Sequence, residues 1–114
     1  MKLEKDLQKE ILHYLNSQDD FFCWRNSSTG VYGQGRYRKK VGFDIKGTSD
    51  ILGIYSPSGR MVAIEVKREG STKCRVSVEQ FAFLKKITKM GGAAVWVNSL
   101  EEVKRFINMI RGDI

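Results

Sequence analysis

The sequence predicts an α/β sandwich, a mixed β-sheet flanked by helices, folded as a single domain over residues 1–114. Three observations carry this. Apolar residues recur at helical spacing in three segments. Four shorter apolar or aromatic runs have strand character. Capping and turn residues separate them, in the order helix, strand, loop, hairpin, helix, strand, helix.

Leu3, Leu7, Ile11 and Leu15, with Leu12 and Tyr14 beside them, predict an amphipathic helix over residues 3–17. The aromatic run at 21–26 reads as a short strand. Residues 27–47 hold Gly30, Gly33, Gly35, Gly42 and Gly47 among polar and basic residues and read as a long loop or irregular hairpin. A loop of that length in a compact domain is more often functional or mobile than ordinary. Residues 50–55 and 61–67 are strands, joined by a turn built on Pro57 and Gly59. Ser77 and Gln80 form a capping box that opens a helix carrying Val78, Phe81, Leu84, Ile87 and Thr88, and Gly91-Gly92 stops it. The apolar run 93–97 is expected to be a central strand covered on both faces. Ser99 and Glu102 suggest a second capping box, before a last helix lined by Val103, Phe106, Ile107 and Ile110.

Composition narrows the function classes. The apolar fraction of 41% is enough for a core and argues against a disordered tail. No stretch approaches the ~20 apolar residues of a membrane span, and the charged start lacks an apolar signal core, so a cytoplasmic location is expected. Cys23 and Cys74 lie far apart and form no CxxC pair, which reads as two free thiols in a reducing compartment. The net charge of +7 is clustered. Arg36, Arg38, Lys39, Lys40 and Lys46 form one group, with Tyr37 and Phe43 interleaved, and Lys67, Arg68, Lys73 and Arg75 form a second. A solvated charged loop is the alternative for either group alone, but grouped cations of this kind beside the carboxylates suit neutralising the phosphates of a nucleic acid. Tyr32 and Tyr37 are the aromatic candidates for touching it, whereas Trp24 and Trp96 are expected in the core and His13 on a solvated helix face.

The hairpin poses the chemical question. A two-residue turn at Pro57-Ser58 sets Ser56 opposite Gly59 and, counting inward, Asp50 opposite Glu65. Opposed residues have Cβ atoms ~4.5–5.5 Å apart, so two carboxylates there repel. Lys67 shares their face because side chains alternate with period two. A divalent cation such as Mg²⁺ would offset the repulsion, with the Val66 carbonyl as a further oxygen ligand. Lys67 alone, as a structural ion pair, is a second way to offset it, and the bland alternative is that Glu65 and Lys67 are the solvated face of a strand. A cation at this position polarises a phosphoryl oxygen, and a neighbouring ammonium stabilises charge building on phosphorus.

Asp50, 14 intervening residues and then Glu65-Val66-Lys67 resemble the D…(D/E)XK signature of restriction-endonuclease-like nucleases. The chain more narrowly resembles the virus-type replication-repair nuclease domain, VRR-NUC, through residues 4–15, 47–54, 59–69, 77–97 and 99–107. Ser49 departs from the proline that many members carry before the aspartate. The resemblance implies a restriction-endonuclease-like sandwich and a Mg²⁺- or Mn²⁺-dependent DNA endonuclease. Asp50, Glu65 and the Val66 carbonyl would bind the metal, Lys67 would be the catalytic lysine, and Gln80 matches a family glutamine. A glutamate on the first helix would fall on Glu4 or Glu10. Glu4, beside the apolar stripe and with Gln8 as a site neighbour, is preferred. The resemblance also implies products with 5′-phosphate and 3′-hydroxyl ends, and stand-alone members resemble homodimeric resolvases of branched DNA such as Holliday junctions. The alternative is a non-catalytic DNA-binding module using the basic loop 36–46.

Overall fold

The computed structural model describes residues 2–26 and 45–112. Helix α1 (Glu4–Asn16) is followed by β1 (Phe21–Arg25), β2 (Ile51–Tyr55) and β3 (Arg60–Val66). Among the described residues a 3₁₀ turn (Lys73–Arg75), α2 (Val78–Lys89), β4 (Ala93–Val97) and α3 (Leu100–Gly112) follow.

The strands form one sheet in the order β1-β2-β3-β4. The pairs β1–β2 and β2–β3 are antiparallel, and β3–β4 is parallel, with α2 as the crossover. The sheet is therefore mixed, as expected. The expected central position of 93–97 is corrected: among the described strands β4 lies at an edge. Its apolar run fits the other part of that expectation, because helices pack on both its faces. Ala93 and Val97 are buried in the main core with α3, while α2 packs over its other side.

Period-two alternation divides the sheet into two chemically different faces. On one, Phe21, Cys23, Ile51, Val62, Ile64, Val66, Ala93 and Val97 meet Leu7, Ile11 and Leu15 of α1 and Val103, Phe106, Ile107 and Ile110 of α3 in a single core. The i, i+4, i+8 spacing of the α1 leucines and isoleucine puts them on one stripe, which is why that helix docks there. On the opposite face, α2 lies over β3 and β4 and buries Ala63, Glu65 and Lys67. Only Leu84 of α2 is fully buried, and Val78 and Phe81 remain exposed. A single helix does not cover the whole face. Phe22, Trp24 and Ile54, on the β1–β2 half, stay exposed, which corrects the expectation that Trp24 belongs to the core.

The hairpin keeps the expected register with a longer turn. Ile51 pairs with Ile64 and Tyr55 with Arg60, so Ser56–Gly59 is a four-residue loop. Gly59 donates its N–H to the Tyr55 carbonyl, and Ser56 N–H turns away to the Asp20 carbonyl. Gly59 adopts φ 77°, the left-handed conformation that a side chain resists. Cys23 is buried and Cys74 exposed, and both are free thiols.

Candidate active site

The next rung of the β2–β3 ladder beyond Ile51–Ile64 brings Asp50 across from Glu65. Asp50 Oδ2 accepts the Val66 N–H at 2.8 Å. The side chain thus takes over a ladder hydrogen bond where β2 runs out. In a strand the N–H and C=O of one residue point to the same side, so the Val66 carbonyl is directed toward the β2 edge where Asp50 lies. Lys67 N–H goes the other way, to the Val97 carbonyl of β4 at 2.9 Å.

Glu65 is 2% exposed and Lys67 9%. Lys67 Nζ stands 3.4 Å from Glu65 Oε2. The same oxygen accepts from Gln80 Nε2 at 2.8 Å. Gln80 also accepts the Ser77 N–H through its Oε1 at 2.9 Å, while Ser77 Oγ accepts the Gln80 N–H at 3.1 Å. The capping box and the contact with Glu65 therefore use opposite ends of one amide. The two roles reinforce each other, because the Ser77 N–H leaves Gln80 only its NH₂ to present to the carboxylate. Gln80→Ala is expected to lose half the cap, about 1 kcal/mol of stability by urea unfolding, and to free Glu65 to rotate.

Glu65 Oε1 is buried and meets no hydrogen-bond donor among the described residues. Burial and the Asp50 charge push the Glu65 carboxyl up to about 8, against the opposing pull of Lys67. Burial also raises Asp50, opposed by the Val66 N–H, Glu65, Lys67 and the more distant Arg25 charge. Two carboxyls held this close face one ammonium, Lys67, so both can carry charge in a dry setting only with a further cation. An orphaned anionic oxygen, a second carboxylate and a main-chain carbonyl make an all-oxygen donor set, which fits Mg²⁺ or Mn²⁺.

Glu4 sits half-buried in the first turn of α1, with Gln8, also half-buried, one turn on. Among the described residues no group of three or more His, Cys, Asp or Glu converges, so the carboxylates brought together are the pair Asp50 and Glu65. Glu10 is committed elsewhere, accepting from Lys2 Nζ at 2.8 Å. Lys46, Arg68, Lys73 and Arg75 are exposed, and His13 is exposed on α1. Arg36, Arg38, Lys39, Lys40, Tyr32 and Tyr37 lie outside the described residues.

Sequence reasoning missed two supports. Ser49, before Asp50, is completely buried, and its Oγ has no partner among the described residues. Gly47 has φ 79° and lies against the first turn of α2. A Cβ there would collide with the Glu79 carbonyl and come 2.7 Å from the Gln80 amide nitrogen. Gly47→Ala is expected to cost about 2–3 kcal/mol, read as a lower urea midpoint, because it combines a left-handed backbone with a backbone collision. The signal available in the sequence was a glycine three residues before the aspartate.

No family model matches the chain, and no characterised protein matches it by sequence. A solved structure described as a VRR_NUC domain protein superimposes with a TM-score of 0.64 at 16% identity, covering 93% of this chain and 85% of that one. The chain has the VRR-NUC fold, a four-stranded mixed sheet flanked by helices.

Proposed function

We propose that this chain is a Mg²⁺- or Mn²⁺-dependent endonuclease that hydrolyses DNA phosphodiester bonds. The observation that carries the reading is the buried Glu65 Oε1, which meets no hydrogen-bond donor among the described residues, beside Asp50 and with the Lys67 ammonium on the same face. The likeness to a VRR_NUC domain protein supports it from the side of the fold.

Asp50, Glu65 and the Val66 carbonyl would hold the cation, with Glu4 as the candidate addition from α1. When bound, the cation supplies Lewis acidity to the scissile phosphate and lowers the pKa of water at the site. Gln80 holds Glu65 Oε2, so that Oε1 is the oxygen left to face the ligand. Lys67, fixed beside Glu65, places a positive charge where the phosphorane oxygens become more negative. Lys46, Arg68, Lys73 and Arg75, together with Arg36, Arg38, Lys39 and Lys40, neutralise the flanking phosphates. Such contacts carry no sequence information, so selection falls to DNA shape. We assign branched DNA as the preferred substrate and a two-fold dimer as the working form, which would present two centres to two strands. The setting is a reducing cytoplasm, in which both thiols stay free. Among the described residues no helix is long and apolar enough to cross a membrane.

The test is cleavage of junction, flap, nicked and duplex DNA with Mg²⁺, Mn²⁺ or EDTA. Cutting that needs the divalent ion and favours branched DNA is the expected result. Binding without cutting under every condition would leave only the DNA-binding reading.

A further inference from the structure

The half of the Asp50–Glu65 sheet face that no described helix covers has its own chemistry. Trp24 pairs with Leu52 on β2, and Leu52 with Ala63 on β3. These three lie on the rung next along the same sheet face from Asp50 and Glu65. Strand spacing of about 4.8 Å and a two-residue step of about 6.7 Å put the Trp24 and Asp50 Cα atoms about 8 Å apart. Trp24 is 39% exposed and Phe22, two residues earlier on β1, 66%. Their rings sit 5.7 Å apart and tilted by 51°, so each leaves area open to solvent. Indole is costly to expose, and the α1–α3 face of the same strand is packed. The positive charge of Arg25, next along β1, reaches Asp50.

We infer that Trp24, with Phe22 behind it, is a stacking platform for an unpaired nucleobase of the DNA whose phosphate lies at Asp50 and Glu65. The inference rests on the nuclease reading for the direction of the strand, and it names what that site selects: DNA with a base free to leave the duplex. Three features favour a nucleobase as the occupant. The patch is continuous with the carboxylate rung, so one strand spans both. The chain carries a net charge of +7, complementary to a polyanion. The exposed groups are π-faces, which every base can stack upon, whereas paired bases keep their faces inside the helix.

The experiment compares binding of a single-stranded oligonucleotide, the same phosphates carrying abasic sugars, and a blunt duplex, all in EDTA so that nothing is cut. Trp96→Phe makes Trp24 the only indole. Its fluorescence is expected to be quenched by the single strand and unaffected by the abasic strand. Trp24→Ala is expected to weaken single-strand binding about tenfold or more, with duplex and abasic binding unchanged, and Trp24→Phe to recover most of the loss. Equal losses on all three ligands, or none, would overturn the platform. So would a dimer of the free protein that dissociates in Trp24→Ala, because the indole would then be covered by a second copy. The two readings fail separately. Base-dependent binding without metal-dependent cutting removes the nuclease and keeps the platform. Cutting that depends on Lys67 but ignores Trp24 does the reverse.

Discussion

Asp50→Asn is expected to lower cleavage at least ~100-fold while leaving the fold intact, as losing a carboxylate that holds the proposed cation should cost more than the 10–100-fold typical of outer partners. Asparagine keeps an oxygen able to accept the Val66 N–H, now made by Asp50 Oδ2 at 2.8 Å, so the end of the β2–β3 ladder stays closed. What disappears is charge. With Glu65 as the one remaining anion, the pair no longer demands a cation. DNA binding in EDTA should be unchanged or tighter, since one negative charge facing the phosphates is gone. Lys67→Ala is expected to fall by a similar factor, about 10²–10³, with the loss confined to the single-turnover rate. On the proposed mechanism it removes a charge that the transition state uses and leaves the oxygen donors in place. The opposing outcome is simple: a variant that cuts at the wild-type rate has lost nothing the reaction uses.

The metal-free protein is expected to become less stable as pH rises from about 5 to 8, and a divalent cation should reverse the trend. The native Glu65 carboxyl titrates at about 8, against 4.5 for the free side chain. Between those values the native state holds a proton that the unfolded chain has released. Stability from this group is therefore complete below the unfolded value and is lost as pH climbs through the folded one. Asp50, also raised by burial, acts in the same direction. Asp20 is lowered by its ion pair with Arg111, so its contribution is lost only at more acid pH, outside this window. A fall in Tm of ~5 °C or more between pH 5 and 8 is the expected size for about 1 kcal/mol in a domain of this length. Millimolar Mn²⁺ should raise Tm most at pH 8, where the ligands are deprotonated. Glu65→Gln should flatten the slope and stabilise the metal-free protein at pH 8. Its amide can accept from Gln80 and donate to Asp50, replacing the proton that the carboxyl pair otherwise needs. A pH-independent Tm with no response to Mn²⁺ would show that the pair is no cation site.

Much of the centre was legible because it depends on local rules. A strand alternates with period two and a hairpin counts inward from its turn, so Asp50, Glu65 and Lys67 follow from numbering alone. The actual loop is two residues longer than expected, yet the register is the same, because lengthening it symmetrically leaves the pairing unchanged. Gln80 was legible as a cap but ambiguous as a site residue. Which end of its amide faces Ser77 depends on where Glu65 stands in three dimensions. At the other predicted capping box the outcome is different. Ser99 Oγ accepts the Glu102 N–H, but Glu102 reaches back to the Asn98 N–H instead of the Ser99 one.

Trp24, β4 and Gly47 escaped for a common reason. An apolar residue announces that it prefers burial, but what covers it is decided by another element. The 12 residues of α2 reach over β3 and β4 and stop short of β1, which leaves Trp24 open and, with α3 on the other side, covers an edge strand on both faces. Glycine declares conformational freedom without naming the neighbour that comes close, here the first turn of α2.

By itself, the sequence determined the elements, the β2–β3 register and the three charged residues at its open end, since nearest-neighbour geometry settles these. Only the tertiary structure decided that α2 closes over Glu65 and Lys67, stripping them of water and leaving one carboxylate oxygen without a donor among the described residues. That decision lies in helix-on-sheet packing between segments far apart in the chain, and dielectric and solvent access follow from packing.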